Sequence, residues 1–396
     1  MKGIKSLVLS GLAAGAAGLT TARPCCKECT VSTIANGVVV NGTVPIDTSP
    51  QTHFFNTTLQ ELNATAWEYW YTDGVSESGE EAVTLVFFRD PTYLAAGLGT
   101  LRVSVDAVWA NGTRFSSTLV VDNSNVTDCK HGASGWENKG VWSGGSCTDC
   151  WFKAVDDRHV TIRIAGTGLE GNTIDGTFEL TSFTHPRYPD GENYPSKSAS
   201  LELAPLIYWN EAIPAGNVET SFILSGTELS FTGYGGFDRN WGPFIWDFVA
   251  DHWWWVRIIS GPYTGVFWKY FSPFSNRYHV YGYLEESGKV LVAASQEESG
   301  DGSDWATVEL KYDPNGVHGS FQDNSTGFII DFHSATTGDV WQFDVNHTNL
   351  VFEPPQSNDE YSRFANLAKG GKVGGQQFAG VAKSEQNHII NIYPLP

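Results

Sequence analysis

Hydrophobic and polar residues alternate with a period of two along most of this chain. Leu101, Val103, Val105, Ala107 and Trp109 fall on one side and Arg102, Ser104 and Asp106 on the other, and Asn111-Gly112 then supplies a two-residue turn before Phe115 to Val121 returns. That spacing predicts a β-hairpin with one buried face. Alternating or continuously apolar runs at Val83 to Phe88, His159 to Ile164, Phe178 to Phe183, Ser221 to Phe231, Trp253 to Ile259, Gly265 to Phe271, Tyr278 to Leu284 and Val290 to Ala294 predict further strands. One helix is expected, from Asp359 to about Lys369, because Ser357 and Glu360 have capping-box spacing and Gly370-Gly371 follows. The expected fold class is therefore all-β: two tandem antiparallel barrels or sandwiches with a short C-terminal helix. Pro214 and Gly216 interrupt two strand-rich halves and suggest domains at 23–213 and 214–396. No period of roughly 20 to 50 residues recurs, which argues against propellers and solenoids.

The first 22 residues read as an address. Lys2 and Lys5 precede an apolar run from Leu7 to Leu19, and Thr20-Thr21-Ala22 offers the small residues of a signal-peptidase site. The run is shorter than the roughly 18 residues of a spanning helix. Asn41, Asn56, Asn63, Asn111, Asn125, Asn324 and Asn346 each begin an N-x-[ST] sequon, as expected of a glycosylated, secreted chain. Cys25, Cys26 and Cys29 lie near the mature N-terminus, and Cys129, Cys147 and Cys150 cluster around a Gly/Ser-rich loop. No histidine stands at zinc-finger spacing, so disulfides are expected, one of them tying the N-terminal tail to the Cys129–Cys150 region.

The chain has 396 residues, 44 acidic against 24 basic, and a formal charge of -20. Without a basic stripe to hold a phosphate backbone, nucleic acid is excluded as a partner, and an anionic membrane surface is disfavoured for the same reason. Aromatics reach 13%, including 15 Trp, which leaves room for an apolar pocket at a barrel mouth or a domain seam.

Two motifs concentrate that aromatic content. In Trp67-Glu68-Tyr69-Trp70-Tyr71-Thr72-Asp73, a strand would place Trp67, Tyr69 and Tyr71 on one face and Glu68 and Trp70 on the other. In Gly233-Tyr234-Gly235-Gly236-Phe237-Asp238-Arg239-Asn240-Trp241-Gly242-Pro243, glycines let the backbone turn so that Asp238, Arg239 and Asn240 converge. Trp246 and Asp247 follow, and in the next strand Trp253, Trp255 and Arg257 share a face opposite His252, Trp254 and Val256. Lys269, flanked by Trp268 and Tyr270, is an unexpected cation in an aromatic strand, and His279, Tyr281 and Tyr283 alternate along the following one. Trp341 is a further candidate pocket wall.

The Glu68-Tyr69-Trp70-Tyr71-x-Asp73 motif, the stretch ending Asp238-Arg239-Asn240-Trp241-Gly242 and the Gly261-Pro262-Tyr263 turn resemble those of the fungal lipocalin-like Diels-Alderases, relatives of AttH-like and carotenoid-hydratase-like proteins. The resemblance extends from about residue 60 to the end. It departs at Phe237, where the family pattern has His, so a proton-transfer role for that position does not carry over. The secretory signal, sequons and cysteines are similar to those of the secreted hetero-Diels-Alderases that join a tropolone quinone methide to a humulene-type sesquiterpene. The resemblance implies an intermolecular cycloaddition giving a dihydropyran, with a tropolone and a terpene as small apolar partners.

Such a reaction needs no cofactor and no metal. Orientation of the two reactants can remove on the order of 7–11 kcal/mol of barrier, and a donor aimed at the heterodiene carbonyl roughly 3–4 kcal/mol. The expected donors are Arg239, Arg257 and Lys269; Glu68, Asp238 or a His could serve as an acid once burial raises its pKa. Trp67, Tyr69, Trp70, Trp241, Trp246, Trp253, Trp255, Trp268, Tyr281 and Trp341 are the expected pocket walls. Two rival readings are a secreted glycoside hydrolase, which would need two carboxylates flanking a sugar cleft, and a non-catalytic carrier of apolar metabolites.

Overall fold

The computed structural model describes residues 28–131, 135–300, 302–320, 323–354 and 359–389. The signal segment, Cys25, Cys26 and Ser357 lie outside the described residues. The chain forms two antiparallel sheets, each contiguous in sequence. The first contains β1 (Glu28–Ala35), β2 (Trp67–Ser76), β3 (Ala82–Arg89), β4 (Leu101–Val108), β5 (Arg114–Val120), β6 (Asn123–His131), β7 (Gly135–Gly144), β8 (Cys147–Val155), β9 (His159–Thr167), β10 (Thr173–Ser182), β11 (Glu202–Ala204), β12 (Ile207–Leu224) and β13 (Thr227–Gly242). A connection bearing one short helix, α1 (Trp246–Val249), leads to the second. That sheet comprises β14 (His252–Ser260), β15 (Tyr263–Ser272), β16 (Arg277–Glu286), β17 (Lys289–Ala294), β18 (Trp305–Lys311), β19 (Gly327–His333), β20 (Val340–Phe352), β21 (Asp359–Lys372) and β22 (Phe378–Ile389).

The first sheet runs in the order β1-β6-β7-β8-β9-β10-β12-β13-β2-β3-β4-β5 and curls so that Phe87 and Trp142, from distant strands, pack in one core with ring centroids 5.0 Å apart. The second runs β17-β16-β15-β14-β22-β21-β20-β19-β18, and its end strands approach one another to close a near-barrel around Val256, Phe267, Phe332 and Phe343. A third cluster, containing Trp67, Tyr71, Trp209, Trp253, Trp255, Trp268 and Tyr283, fills the seam between the sheets. Among the described residues, no helix is long and apolar enough to cross a membrane.

The hairpin expected at Asn111-Gly112 forms, but with a three-residue loop, Ala110-Asn111-Gly112, closed by the Trp109 N–H donating to the Thr113 carbonyl at 3.0 Å, with Gly112 at φ 79°. Three other expectations are corrected. The segment expected as a helix is β21, hydrogen-bonded to β20 on one side and β22 on the other. Asn366, Ala368 and Gly370 are buried there while Leu367 and Lys369 are exposed, so pairing on both edges overrides the local capping signal. The Ser221–Phe231 run is two strands joined at Ser225-Gly226, whose φ angles of 48° and 84° make a tight hairpin turn. The boundary placed at Pro214 and Gly216 falls inside β12: those residues mark register shifts against β13, a bulge and not a linker. The chain passes from one sheet to the other between Gly242 and His252.

Cys29 pairs with Cys129 and Cys147 with Cys150, and the first bridge ties the N-terminal strand to β6 as expected. Asn41, Asn111, Asn324 and Asn346 are exposed, and Asn56, Asn63 and Asn125 partly so.

Candidate active site at the seam

The pleat of β2 and β13 divides their residues between two environments. Tyr71 pairs with Asp238 and Asp73 with Gly236, so these residues share the face turned to the second sheet. Trp70, Phe237, Arg239 and Trp241 point into the first sheet's own core. On the other side of the seam, β14 pairs Trp255 with Trp268 of β15 and with Glu385 of β22, and Arg257 with Lys383.

Arg257 reaches across the seam. Its guanidinium donates to Asp73 and Asp238 of the first sheet and lies 3.6 Å from Glu211 Oε1. A Cβ at position 236 would stand 2.4 Å from the Arg257 Cζ, so a residue without one is what lets the guanidinium pass between the two carboxylates. Tyr283 donates its hydroxyl to Glu211. Beside this group, Arg363 binds Glu385 at 2.9 Å and Asp106 at 2.7 Å, and Tyr71 donates to Glu385 at 2.8 Å. Lys383 is buried, with no hydrogen-bond partner for its Nζ among the described residues.

The carboxylates Asp73, Asp106, Glu211, Asp238 and Glu385 thus outnumber the cations Arg257, Arg363 and Lys383. Burial and excess negative charge favour proton uptake. Burial raises Asp238 to about 7, against the pull of Arg257 and with a further push from Asp73. Burial and Asp238 raise Glu211 well above the carboxylate range. Burial also works against the charge on Glu385, but Arg363 and Lys383 outweigh it and hold this carboxyl below its ordinary value. Burial lowers Lys383 to about 8. Asp238 and Glu211 are therefore the carboxyls of the seam in which proton uptake is most favoured.

Tyr71, Asp238, Asn240, Trp255, Trp268 and Glu385 line a small cleft of about 20 Å³ that opens to solvent. The indole nitrogens of Trp255 and Trp268 and the amide nitrogen of Asn240 are buried there without partners among the described residues. A buried donor left unpaired costs roughly 1–3 kcal/mol, which a ligand oxygen placed against it would recover. Chemically, the cleft offers apolar walls, three neutral donors and a carboxyl, Asp238, raised to about 7.

Of the residues expected to act chemically, Asp238 lines the cleft, and Arg257 lies bonded to it, already engaged by carboxylates. The others lie elsewhere. Glu68 faces the first sheet's core, where it binds Arg89 at 3.1 Å and Arg239 at 2.7 Å and accepts from Thr57 at 2.5 Å and Thr58 at 2.9 Å. Lys269 is on the face of β15 opposite Trp268, ion-paired to Glu297 at 2.5 Å. Among the expected walls, Trp70 and Trp241 pack in the first sheet's core and Trp341 in the second's, because the pleat turns them from the seam. Trp67, Tyr69, Trp246, Trp253 and Tyr281 belong to the seam cluster, with the Trp246 ring packed at a tilt between Trp67 at 4.8 Å and Trp253 at 5.1 Å. Phe237 packs on Phe55, ring centroids 4.9 Å apart, so that position faces away from the cleft.

Sequence reasoning missed Glu211, Lys383, Arg363 and Glu385 as site residues. A signal existed for Glu211, a lone acid between Trp209 and Ile213 in a buried run. Lys383-Ser384-Glu385-Gln386-Asn387 reads as a solvated polar stretch, yet all five are buried.

Two curled β sheets thus meet at a seam of aromatic rings and buried carboxylates. The model of the Diels-Alderase-like family matches residues 26–389, and the chain belongs to that family. It is 30% identical over 335 residues to the Diels-Alderase phmD of Phaeosphaeria nodorum, covering 84% of this chain and 90% of that one. To the Diels-Alderase cheD of Chaetomium globosum it is 31% identical over 363 residues, covering 91% and 83%. Among solved structures, CghA superposes with a TM-score of 0.76 at 24% identity over 92% of this chain and all of that one, which shows the shared fold. The chain is accordingly an enzyme of cycloaddition in secondary metabolism, and the hydrolase and carrier readings fall away.

Proposed function

We propose that this enzyme joins a tropolone-type quinone methide to a humulene-type sesquiterpene by an inverse-electron-demand hetero-Diels-Alder reaction in the seam cleft. The observation that supports this reading is the set of donors without partners among the described residues, Trp255 Nε1, Trp268 Nε1 and Asn240 Nδ2, next to the carboxyl of Asp238, which burial raises to about 7. The donors bind the heterodiene carbonyl, whose oxygen gains negative charge as the new carbon–carbon bond forms ahead of the carbon–oxygen bond. Neutral donors fulfil the part first expected of a cation; Arg257 holds Asp238 and Asp73 in place.

Asp238 also equips the cleft to generate the heterodiene from a hydroxymethyl precursor. Its proton goes to the departing hydroxyl, the carbon–oxygen bond breaks to release water, and the ring hydroxyl returns a proton to the carboxylate. No oxidant enters, and the cycloaddition that follows forms two σ bonds from π electrons alone. The cleft encloses only about 20 Å³, room for roughly one water molecule, so binding both reactants requires the seam to open widely. The surface-exposed sequons and the bridged cysteines support passage through the secretory pathway.

The test is a reaction of purified protein with a hydroxymethyl tropolone and humulene. Product should form enantioselectively, and Trp255→Phe and Trp268→Phe should each reduce kcat by roughly 10²-fold with little change in KM. Racemic product at the uncatalysed rate would overturn the reading.

A further inference from the structure

At the far face of β14 from the seam, Asp251, His252 and His388 form a cluster unrelated to the cleft. His252 opens β14 and stands directly opposite His388 near the end of β22, and Asp251 ends the connection between the two sheets. One ligand atom from each lies within 4.8 Å of the others. Asp251 Oδ2 is 2.9 Å from His252 Nδ1 and its Oδ1 is 3.9 Å from His388 Nε2. The three side chains are 30%, 20% and 36% exposed, so the group sits at a rim that ions can reach.

We propose that Asp251, His252 and His388 bind a divalent first-row transition ion, Zn²⁺ or a close relative, with water completing four-coordination. Two imidazoles and one carboxylate are a donor set for zinc and copper, and imidazole donors disfavour the hard ions Mg²⁺ and Ca²⁺. Ligand bonds of about 2.0–2.2 Å place donor atoms within roughly 3.5 Å of each other, so closure asks for about an ångström of movement, which rotation of the partly exposed His388 ring supplies. The second layer is also built. Tyr278 hydroxyl lies 2.6 Å from His252 Nε2, the contact that fixes which nitrogen of a metal-bound imidazole faces the ion. Phe271 stacks on the His252 ring at 5.2 Å with the planes 5° apart, and Trp254 meets it edge-on. The neighbouring cation, Lys269, is neutralised by Glu297 at 2.5 Å.

Such an ion would clip the connection between the sheets to β14 and β22. That connection carries Trp246, whose ring packs at a tilt against Trp67 and Trp253 in the seam. The ion acts on rigidity and takes no part in the cycloaddition.

The experiment is isothermal titration of ZnCl₂ into tag-free, chelator-treated full-length protein, with thermal melts alongside. One equivalent should bind at micromolar Kd or tighter, and the melting temperature should rise by several degrees. Co²⁺ should give visible absorption of four-coordinate intensity. His388→Gln and His252→Ala should each weaken binding at least tenfold, whereas His333→Ala, on a distant strand, should leave it unchanged. Binding weaker than about millimolar, or affinity retained in the double histidine variant, would overturn the site. Either result leaves the cycloaddition reading untouched, since product formation is measured separately.

Discussion

Two buried arginine–carboxylate groups stand back to back across β2 and β13, and they differ in how completely they are satisfied. Inside the first sheet, Glu68 receives Arg89, Arg239, both threonine hydroxyls and the Thr58 amide, so each of its oxygens is saturated. Across the pleat, Asp73, Asp238 and Glu211 share the single guanidinium of Arg257, and Asp73 Oδ1 has no partner among the described residues. A saturated polar group rigidifies a core; a group short of cations holds protons instead and is available for chemistry. Residue type does not separate the two groups. The side of the strand on which each residue falls does.

The largest expected effect comes from removing the acid. Asp238→Asn keeps the neutral shape of the protonated carboxyl but cannot give up a proton, so turnover from the hydroxymethyl precursor should drop by about 10²–10⁴-fold. Reaction of a preformed quinone methide should suffer far less. Equal losses with both substrates, read by stopped assays, would show that Asp238 positions the reactants and does not protonate them.

Glu68→Gln tests the other side of the strand. Two buried guanidiniums lose their counter-charge, and stability should decline by about 3–5 kcal/mol in urea unfolding. The folded fraction should keep its kcat/KM within about twofold. A variant that folds normally yet fails to turn over would move the chemistry into the first sheet's core.

Much of this arrangement was legible in the sequence. Period two fixed the strands, and it correctly divided Trp67, Tyr69 and Tyr71 from Glu68 and Trp70, and Trp253, Trp255 and Arg257 from Trp254. Periodicity tells which residues share a face but not which face meets the second sheet, so Glu68 and Arg239 were grouped with Asp238 although the pleat opposes them. Lys269 was misplaced for the same reason. Lys383 and Glu385 were invisible because their burial arises from β22 docking against a sheet more than a hundred residues earlier in the chain, and polar composition alone reads as solvent. The helix expected at Asp359 failed where a local cap competed with two neighbouring strands.

The pH dependence of stability sharpens the contrast by a smaller amount. In the fold Asp238 binds its proton up to about pH 7, whereas an unfolded aspartate releases it near pH 4. The folded state therefore holds more protons between those values, so this stabilisation is complete below about pH 4 and is lost as pH rises through about 7. Glu211, raised for the same cause, acts in the same direction. The loss should be on the order of 2–4 kcal/mol, and Asp238→Asn should flatten the slope. His347, lowered by burial to about 3, destabilises the fold as pH falls below about 6.5, but it is common to both proteins and cancels in the difference. A slope identical in wild type and variant would mean that Asp238 is ionised in the folded enzyme.

The smallest expected effect is at Lys269. Its ammonium pairs with Glu297 and lies 4.5 Å above the Tyr278 ring, on the face of β15 that Trp268 does not share. Partly exposed pairs of this kind contribute about 1 kcal/mol or less, so Lys269→Met should lower stability by no more than that and leave the rate within about twofold. The variant is informative because the side chain is a cation one residue from a cleft wall in sequence, yet separated from it by the thickness of a sheet. A tenfold loss in kcat with unchanged melting temperature would mean that charge acts through the sheet on the reacting pair, and that facing, the property that distinguishes the two arginine groups, does not by itself decide which residues take part.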